Sequence, residues 1–408
     1  MRARAGVDAR VRTAGMKQVA IKLLVSLAAL LLFLGMAELA ARLFLPPPQR
    51  VATAARALAP PQVGQAKEIS AIATHPDEGG LYRSTPTGRR LAPNRIVTID
   101  SHRLSKKRVV IETNSLGYRN PEIGAKHGER ILFLGDSVTF QDFLNEDETF
   151  VRLIARKARA DNRDWETINT GVGSISLKTE LAILLETGLA LQPDVVVVDF
   201  YLNDFQESRG VHVVHLPPLL AHSWFLYHVA AALNTLRAHD DAADAGFEKV
   251  DLPAWRKEFV GRVPQGAGFF NENPAAFNAM IAANFRDFGA AWSAGAWDHI
   301  RPLLAELQRL SLEHHFKLVV VGFPIYQQAY TRFLDDYPQQ QLKRLGAELG
   351  IPVLDLLPAF RAEVQRLGHP GTYEAQEIIQ DLFYDQCHHT PAGSALVAAE
   401  IYKFLQQQ

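Results

Sequence analysis

The stretch RILFLGDSVTF, residues 130–140, decides the fold, because a short apolar run in it stops abruptly at a glycine, a carboxylate and a hydroxyl. Ile131 to Leu134 are continuously apolar, which is typical of a parallel strand covered on both faces. Gly135, Asp136 and Ser137 then indicate a strand-to-helix turn. Such a turn places the Ser137 hydroxyl at the carboxyl edge of a sheet, where α/β sheets bind and transform ligands. Taken alone, the tripeptide fits equally well a serine that caps the following helix.

From this strand onward, strand-like and helix-like stretches alternate along the chain. The pattern predicts further buried strands at residues 166–169, 194–200, 317–322 and 351–355, with amphipathic helices at 148–160, 177–185, 297–307 and 342–349. Gly350 is expected to end the last of these helices. This alternation predicts an α/β fold: a three-layer, doubly wound sheet of about five parallel strands with helices on both faces. A small hairpin, residues 95–100 and 108–113, is expected to precede the sheet.

A long insertion, about residues 206–296, separates the third strand from the helix that leads to the fourth. It is far longer than a crossover connection requires. Two interpretations are open. The segment either covers the carboxyl edge of the sheet and shapes a substrate cleft, or packs on the domain without contact to substrate.

The amino-terminal segment has the pattern of a single-pass membrane anchor. Residues 1–22 carry six basic side chains and one acidic one, and residues 23–37 carry no charge. An apolar run of this length after a basic segment predicts a transmembrane signal anchor at 23–45, with the basic end in the cytoplasm and the catalytic part outside the plasma (inner) membrane. Residues 46–73, rich in Pro, Ala and Gln, are expected to form a linker to a domain at 74–408.

A cleaved signal peptide is the alternative, because small residues at 35–37 and 39–41 resemble cleavage sites. Glu38 and Arg42 are spaced to pair on a helix that continues past the membrane surface, which favours the uncleaved anchor. The formal net charge of -1 gives no electrostatic footprint for nucleic acid, so no such partner is expected. The single cysteine, Cys387, excludes an internal disulfide.

Polar motifs follow the predicted strands at the points where these strands end. After Gly135-Asp136-Ser137 come NTGVGS at residues 169–174, YLND at 201–204, and DQCHHTPAG at 385–393 before the last helix. Because a parallel sheet brings such ends together at one edge, these distant residues are expected to converge.

These four ordered motifs resemble those of the SGNH or GDSL hydrolases, which are serine esterases, lipases, thioesterases and carbohydrate acyl esterases. The resemblance covers roughly Asn114 to Leu405 apart from the insertion, and it implies a flavodoxin-like sheet. The segment NSLGYR at residues 114–119, the Glu38 and Arg42 pair and the insertion are similar to the membrane-anchored bacterial branch of this family.

By this resemblance, Ser137 corresponds to the nucleophile and His388 to the base that removes its proton. Asp385 corresponds to the carboxylate that orients the imidazole. The oxyanion hole is then expected to combine the Ser137 backbone N–H, the Asn203 amide and a backbone N–H from the loop that contains Gly173 and Ser174.

Ser174 departs from the family pattern, because the family usually has a glycine at this position. We expect Ser174 to adopt an ordinary extended conformation and still donate its backbone N–H. In the alternative, Gly173 takes the strained, positive-φ position and the loop is shifted by one residue.

Each site residue also has a purely structural interpretation. Asp385 fits a helix N-terminal acid, His388 a buried core histidine, and Asn203 a turn residue. His389 is expected to pack beside the base, and Cys387 to be a small buried side chain. Adjacent histidines raise the question of a zinc site, but no other His or Cys lies at a ligand spacing near them, so no metal is expected.

The resemblance implies a carboxylic ester hydrolase that needs no cofactor, acting on an acyl ester such as an O-acyl group of an envelope carbohydrate. Hydrolysis and acyl transfer share the acyl-enzyme intermediate, so the sequence does not choose between them. The alternative from another class is a catalytically silent binding or assembly module for polysaccharide machinery. The full set of Ser137, Asp385, His388 and Asn203 argues against a silent module.

Overall fold

The computed structural model of the protein describes residues 2–45, 51–53, 67–72, 76–205, 211–213, 222–237, 288–330, 334–369 and 380–408. The chain divides into two compact units: residues 1–52 with 212–240, and residues 53–211 with 241–408. Most of the predicted linker and most of the predicted insertion lie outside the described residues. The roles predicted for these two segments therefore stay predictions.

Strands and helices follow in this order. The strands are β1 (Val51–Thr53), β2 (Glu68–Ile72), β3 (Tyr82–Thr85), β4 (Gly88–Leu91), β5 (Arg95–Ile99), β6 (Val109–Glu112), β7 (Glu129–Gly135), β8 (Trp165–Asn169), β9 (Val195–Phe200), β10 (Val211–Val213), β11 (Lys317–Gly322) and β12 (Val353–Asp355). The helices are α1 (Arg2–Phe44), α2 (Ser137–Phe140), α3 (Phe150–Ala160), α4 (Leu177–Ile183), α5 (Trp224–Arg237), α6 (Trp297–His314), α7 (Tyr326–Tyr330), α8 (Tyr337–Leu349), α9 (Leu357–Arg366) and α10 (Pro391–Leu405).

The first unit contains α1 and α5. Within α1, Ile21–Phe44 form a segment of 24 residues that is long and apolar enough to cross a membrane. The helix continues through the end of this segment, where Arg42 Nε donates to Glu38 Oε1 at 2.8 Å. The predicted pairing of these two residues is thus confirmed. The helix alone does not distinguish an anchor from a signal sequence.

The second unit is built on a five-stranded sheet with the order β12-β11-β9-β7-β8. All four neighbouring pairs in it are parallel. The predicted fold class, a parallel α/β sheet with helices around it, is therefore confirmed. The chain moves from β7 outward to β8, then returns to place β9 on the other side of β7. This reversal puts the ends of β7 and β9 side by side at the switch point, where doubly wound sheets hold their ligands.

The predicted strands agree with the structure, and the strands at the centre of the sheet are buried on both faces. Every residue of β9 is buried, as are all residues of β7 after Glu129. Gly350 ends α8 in the left-handed conformation, with φ 69°, as expected for a helix C-terminal glycine.

Smaller sheets precede the central one. The predicted hairpin is confirmed, since β5 and β6 pair antiparallel. Neither β2 nor the β3–β4 hairpin was predicted. The strand β2 lies inside the range expected to be a linker and pairs parallel with β5, and β3 pairs antiparallel with β4 across a turn at Gly88 with φ 112°.

Candidate active site

Ser137 lies at the turn between β7 and α2, where the sequence predicted it. The Asp136 carboxylate holds this turn in place, because its Oδ1 accepts the Val138 N–H at 2.8 Å. Its Oδ2 accepts an N–H of the Asn203 side-chain amide at 2.9 Å. Asn203 follows β9, so this contact joins the ends of two neighbouring strands. A Cβ on Gly135 would collide with the Thr139 side chain, so the close turn requires glycine at this position.

His388 and Asp385 converge on Ser137 from the other end of the chain. His388 Nε2 lies 3.0 Å from Ser137 Oγ, and His388 Nδ1 lies 2.7 Å from Asp385 Oδ2. The second oxygen of Asp385 accepts the backbone N–H groups of Cys387 at 3.0 Å and of His388 at 2.9 Å. These bonds hold the carboxylate in line with the imidazole. The three side chains thus form a continuous hydrogen-bonded chain from carboxylate to hydroxyl.

The two charged partners shift the pKa of each other in opposite directions. Burial lowers the pKa of His388, but the nearby Cys387 and Asp385 outweigh it and raise the pKa well above the usual 6.5. Burial opposes ionisation of Asp385. The charge of His388 and the hydrogen bonds that the Asp385 carboxylate accepts outweigh this effect and hold the pKa of the carboxyl well below its usual range. The site therefore stabilises the ion pair that forms when the imidazole takes up a proton.

Cys387 contacts the His388 imidazole, which the sequence did not predict. Its side chain is buried, as expected, but its Sγ lies 3.6 Å from His388 Nδ1. Asp385, Cys387 and His388 offer ligand atoms within 4.8 Å of one another, a set of donors able to hold a metal ion. In this arrangement one imidazole nitrogen contacts Asp385 and the other contacts Ser137, so a metal would have to displace one of these contacts. The geometry fits proton transfer better than metal ligation.

The His389 imidazole packs among aromatic side chains. Its ring is fully buried and lies 4.9 Å from the ring of Phe383, 5.2 Å from that of Phe360 and 5.7 Å from that of Phe323. Burial lowers the pKa of His389 to about 3, so the ring stays neutral. The prediction that His389 packs beside the base is confirmed.

The loop after β8 is hydrogen-bonded to α2, the helix that begins at Ser137. Asn169 Nδ2 donates to the Thr139 carbonyl oxygen at 2.9 Å, and Asn169 Oδ1 accepts the Gly171 N–H at 2.9 Å. A Cβ on Gly171 would lie 2.5 Å from the Phe140 nitrogen, so only glycine allows the loop to approach α2 this closely. The sequence motif thus places the loop beside Ser137, as expected.

The expected conformation of Ser174 is wrong. Ser174 has φ 59°, in the left-handed region, instead of an extended conformation. The alternative, in which Gly173 takes the positive φ, is also wrong, since Gly173 is not among the described residues with positive φ. Residues 173 and 174 form the turn of this loop, and the exposed Ser174 takes the positive φ. Gly173 is buried, and a Cβ at this position would lie 2.8 Å from the Tyr82 hydroxyl.

The β3–β4 hairpin packs beside this loop. This hairpin was not predicted from the sequence. The Arg89 guanidinium stacks on the Tyr82 ring, 3.4 Å from its centroid, and donates to the Gly173 carbonyl oxygen at 3.5 Å. Tyr82 also packs edge-on against Phe140 at 6.1 Å. The proline and glycine between the two short strands, Pro86 and Gly88, were the available signal for a hairpin.

Arg119, from the NSLGYR segment, binds carbonyl oxygens at the end of α2 and just after it. Its buried guanidinium donates to the carbonyl oxygens of Phe140, Gln141 and Leu144. Burial lowers the pKa of Arg119 to about 10, which leaves it charged at neutral pH. This side chain fixes the backbone where α2 ends, and sequence reasoning had assigned it no role.

Three buried acidic side chains lie near Asp136, in the turn that leads to Ser137. Burial, followed by the charges of neighbouring acids including Asp136, raises the pKa values of Glu180 and Asp204 well above normal. Asp199 is raised in the same way, although Thr139 donates a hydrogen bond to it at 2.8 Å. Burial and mutual repulsion therefore favour the protonated forms of Glu180, Asp204 and Asp199.

No protein-family model matches this chain, and no curated protein matches it in sequence. Among solved structures, an acetyl xylan esterase, AlAXEase, is similar at 12% identity and a TM-score of 0.38, over 68% of this chain and 99% of that one. TesA is similar at 12% identity and a TM-score of 0.36, over 68% and 98% of the two chains. A catalytic mutant of the acetylxylan esterase Axe2 from Geobacillus stearothermophilus is similar at 14% identity and a TM-score of 0.38, over 69% and 95%. Similarities this low carry no argument about activity.

Proposed function

We propose that this protein is a membrane-anchored serine hydrolase of the SGNH type that cleaves or transfers acyl esters. The observation that carries the proposal is the hydrogen-bonded chain Ser137–His388–Asp385, with contacts of 3.0 Å and 2.7 Å. Hydrogen-bond reach between a hydroxyl, an imidazole and a carboxylate is what an activated serine requires. The motifs that resemble the SGNH family agree with this assignment.

In the first half-reaction, Ser137 Oγ attacks the ester carbonyl carbon while His388 Nε2 takes the hydroxyl proton. The C–O bond to the leaving alcohol then breaks, and His388 returns the proton to this alcohol. The product is an acyl ester on Ser137. In the second half-reaction His388 deprotonates water, or an acceptor hydroxyl, which attacks the acyl group. The bond from the acyl carbon to Ser137 Oγ then breaks, and His388 returns the proton to this oxygen. Water gives hydrolysis, and an acceptor hydroxyl gives acyl transfer.

The negative charge that develops on the carbonyl oxygen needs donors held in advance. We assign this role to the backbone N–H of Ser137, the Asn203 amide and a backbone N–H of the loop at Gly173 and Ser174. One N–H of the Asn203 amide is held by Asp136, which fixes the direction of the second. Loss of one such donor typically lowers kcat by about 10²-fold or more.

The proposed location is the outer side of the plasma membrane, with α1 as an uncleaved anchor. The basic side chains of residues 1–22 and the apolar segment Ile21–Phe44 support this orientation. The proposed substrate is an O-acylated carbohydrate of the cell envelope. Acetylated xylan, after which two of the similar esterases are named, is a suitable model compound.

The test is ester hydrolysis by the full chain in detergent. The purified protein is incubated with p-nitrophenyl esters of increasing chain length and with acetylated xylan fragments. Ser137→Ala should abolish turnover, and Ser101→Ala, at an exposed serine, should retain it. Short-chain preference together with acetate release would support the carbohydrate substrate. Equal rates for Ser137→Ala and the parent would refute the site, and absence of turnover in every variant would favour the silent module.

A further inference from the structure

The helix α5, which belongs to the long insertion, is joined to the end of the apolar segment of α1. Glu38 of α1 accepts the Ser223 hydroxyl at 2.8 Å and the backbone N–H groups of Trp224 and Phe225, each at 3.1 Å. These are the groups that a helix leaves unpaired at its amino end. A carboxylate there satisfies them and interacts favourably with the helix dipole. Glu38 therefore fixes where α5 begins.

Arg42 completes this junction. It pairs with Glu38, donates to the His222 carbonyl oxygen at 3.0 Å, and lies 5.7 Å from the centre of the Trp224 ring. Glu38 and Arg42 are the first charged residues after the uncharged run at 23–37. If α1 spans a membrane, this pair lies at the level of the lipid headgroups, and α5 starts at the same level.

The described part of α5 has the composition of a helix that contacts lipid. The sequence WFLYHVAAALNTLR contains no acidic residue, and Arg237 at its end is the only lysine or arginine. Val229 and Leu233, one turn apart on the same face, are 39% and 48% exposed, whereas Tyr227 is buried. The 14 residues extend about 21 Å, too short to cross a hydrocarbon core of about 30 Å.

We propose that α5 is a second membrane-contacting element, which lies in the outer interface of the bilayer with Val229 and Leu233 in contact with lipid. This rests on the proposed membrane anchor. The argument for lipid is continuity: the exposed apolar side chains of α5 begin beside those of α1, where Leu39 is 59% and Leu43 67% exposed. Trp224, a partly exposed aromatic residue at the start of α5, suits the headgroup level.

The test measures lipid contact at single labelled positions of the full chain. In a Cys387→Ser background, an environment-sensitive fluorophore is attached at Leu233→Cys, and the protein is reconstituted in vesicles of phosphatidylethanolamine and phosphatidylglycerol. Leu30→Cys in α1 serves as the membrane reference, and Leu312→Cys, 69% exposed on α6, as the aqueous reference. The label at Leu233 should lose most of its emission to spin-labelled lipids, as at Leu30, and far more than at Leu312.

Two results would overturn the proposal. A label at Leu233 that aqueous iodide quenches as strongly as at Leu312 would place α5 in water. A label shielded from both iodide and lipid would show that protein covers it, either residues 238–287 or a second copy of the chain. If Leu30 itself escaped the lipid quencher, the anchor and hence the proposed location would fail, which separates the two claims.

The junction gives a second readout. Glu38→Ala should lower lipid quenching at Leu233 and leave it unchanged at Leu30, because α5 loses the carboxylate that fixes its first turn. Glu38→Gln, which keeps an acceptor oxygen, should retain part of the quenching. Unchanged quenching at Leu233 in Glu38→Ala would show that Glu38 does not hold α5 at the membrane.

Discussion

Replacement of Ser174 by glycine should stabilise the protein and leave it active. Ser174 has φ 59°, and a non-glycine residue in this region costs about 1–2 kcal/mol. Glycine removes this cost but gains about 0.5–1 kcal/mol of chain entropy when unfolded. The expected net gain is about 0.5–1 kcal/mol. For a domain of this size, that corresponds to a rise in Tm of about 1–4 °C.

Catalysis should change little in the same variant, because the backbone N–H at position 174 is retained. We expect kcat to change by less than about tenfold, or about 1.4 kcal/mol in the barrier. The assay is p-nitrophenyl acetate hydrolysis alongside thermal unfolding of the same preparation. A matched control is Asn162→Gly: Asn162 also has a positive φ, 57°, but follows α3 away from the site. It should gain less stability, because asparagine adopts this conformation more easily than serine, and kcat should not change.

A lower Tm in Ser174→Gly would contradict the expected gain in stability. The left-handed conformation would then have no conformational free-energy cost that glycine relieves. A loss of kcat of about 10²-fold at unchanged Tm would instead assign a catalytic role to the Ser174 hydroxyl. Ser174→Ala separates the two possibilities, because it removes the hydroxyl and keeps the side-chain carbon.

Three further predictions concern the surroundings of the nucleophile. Asn203→Ala should lower kcat by about 10²-fold or more with a smaller effect on KM, and an unchanged kcat in an active enzyme would remove Asn203 from the oxyanion hole. The hydrolysis rate should rise with pH through a value above 6.5, since His388 must be neutral to act as a base and its pKa is raised. Cys387→Ala should move this rise to lower pH, and an unchanged pH–rate profile would exclude the thiol as a cause of the raised pKa. The pKa of Glu180 is raised in the folded state, so this group stabilises the fold below its ordinary pKa of 4.5, and the stabilisation is lost as pH rises, by at most about 1.4 kcal/mol per pH unit. Glu180→Gln should therefore weaken the dependence of the unfolding free energy on pH, measured by denaturant unfolding at several pH values. The same pH dependence in the variant and the parent would contradict the raised pKa.

The sequence predicted the central sheet well, because its strands are buried on both faces and therefore appear as continuous apolar runs. The order of the strands brings Ser137 and Asn203 together, and parallel alternation alone was enough to expect that their strand ends meet. The contact between Ser137 and His388 joins residues far apart in the chain. It was expected from the resemblance and from the convergence of strand ends, and not from any local pattern.

What sequence reasoning missed depends on packing between segments. The left-handed φ of Ser174 belongs to a turn that packs against a distant segment, since a Cβ at the neighbouring position 173 would lie 2.8 Å from the Tyr82 hydroxyl. Arg119 is a charged residue that the fold buries in order to bind three carbonyl oxygens, and no periodicity signals such a role. Cys387 lies beside the base because the loop turns there. Each case depends on a neighbour distant in the chain.

The central claim is that Ser137 is the nucleophile, and covalent labelling tests it most directly. The full chain is treated with a fluorophosphonate, whose phosphorus forms a bond to an activated serine oxygen as fluoride leaves. Peptide mass spectrometry then locates the adduct. We expect an adduct on Ser137 that forms in the parent protein and is lost in His388→Ala. No adduct on Ser137, or one located on Ser174 instead, would contradict it.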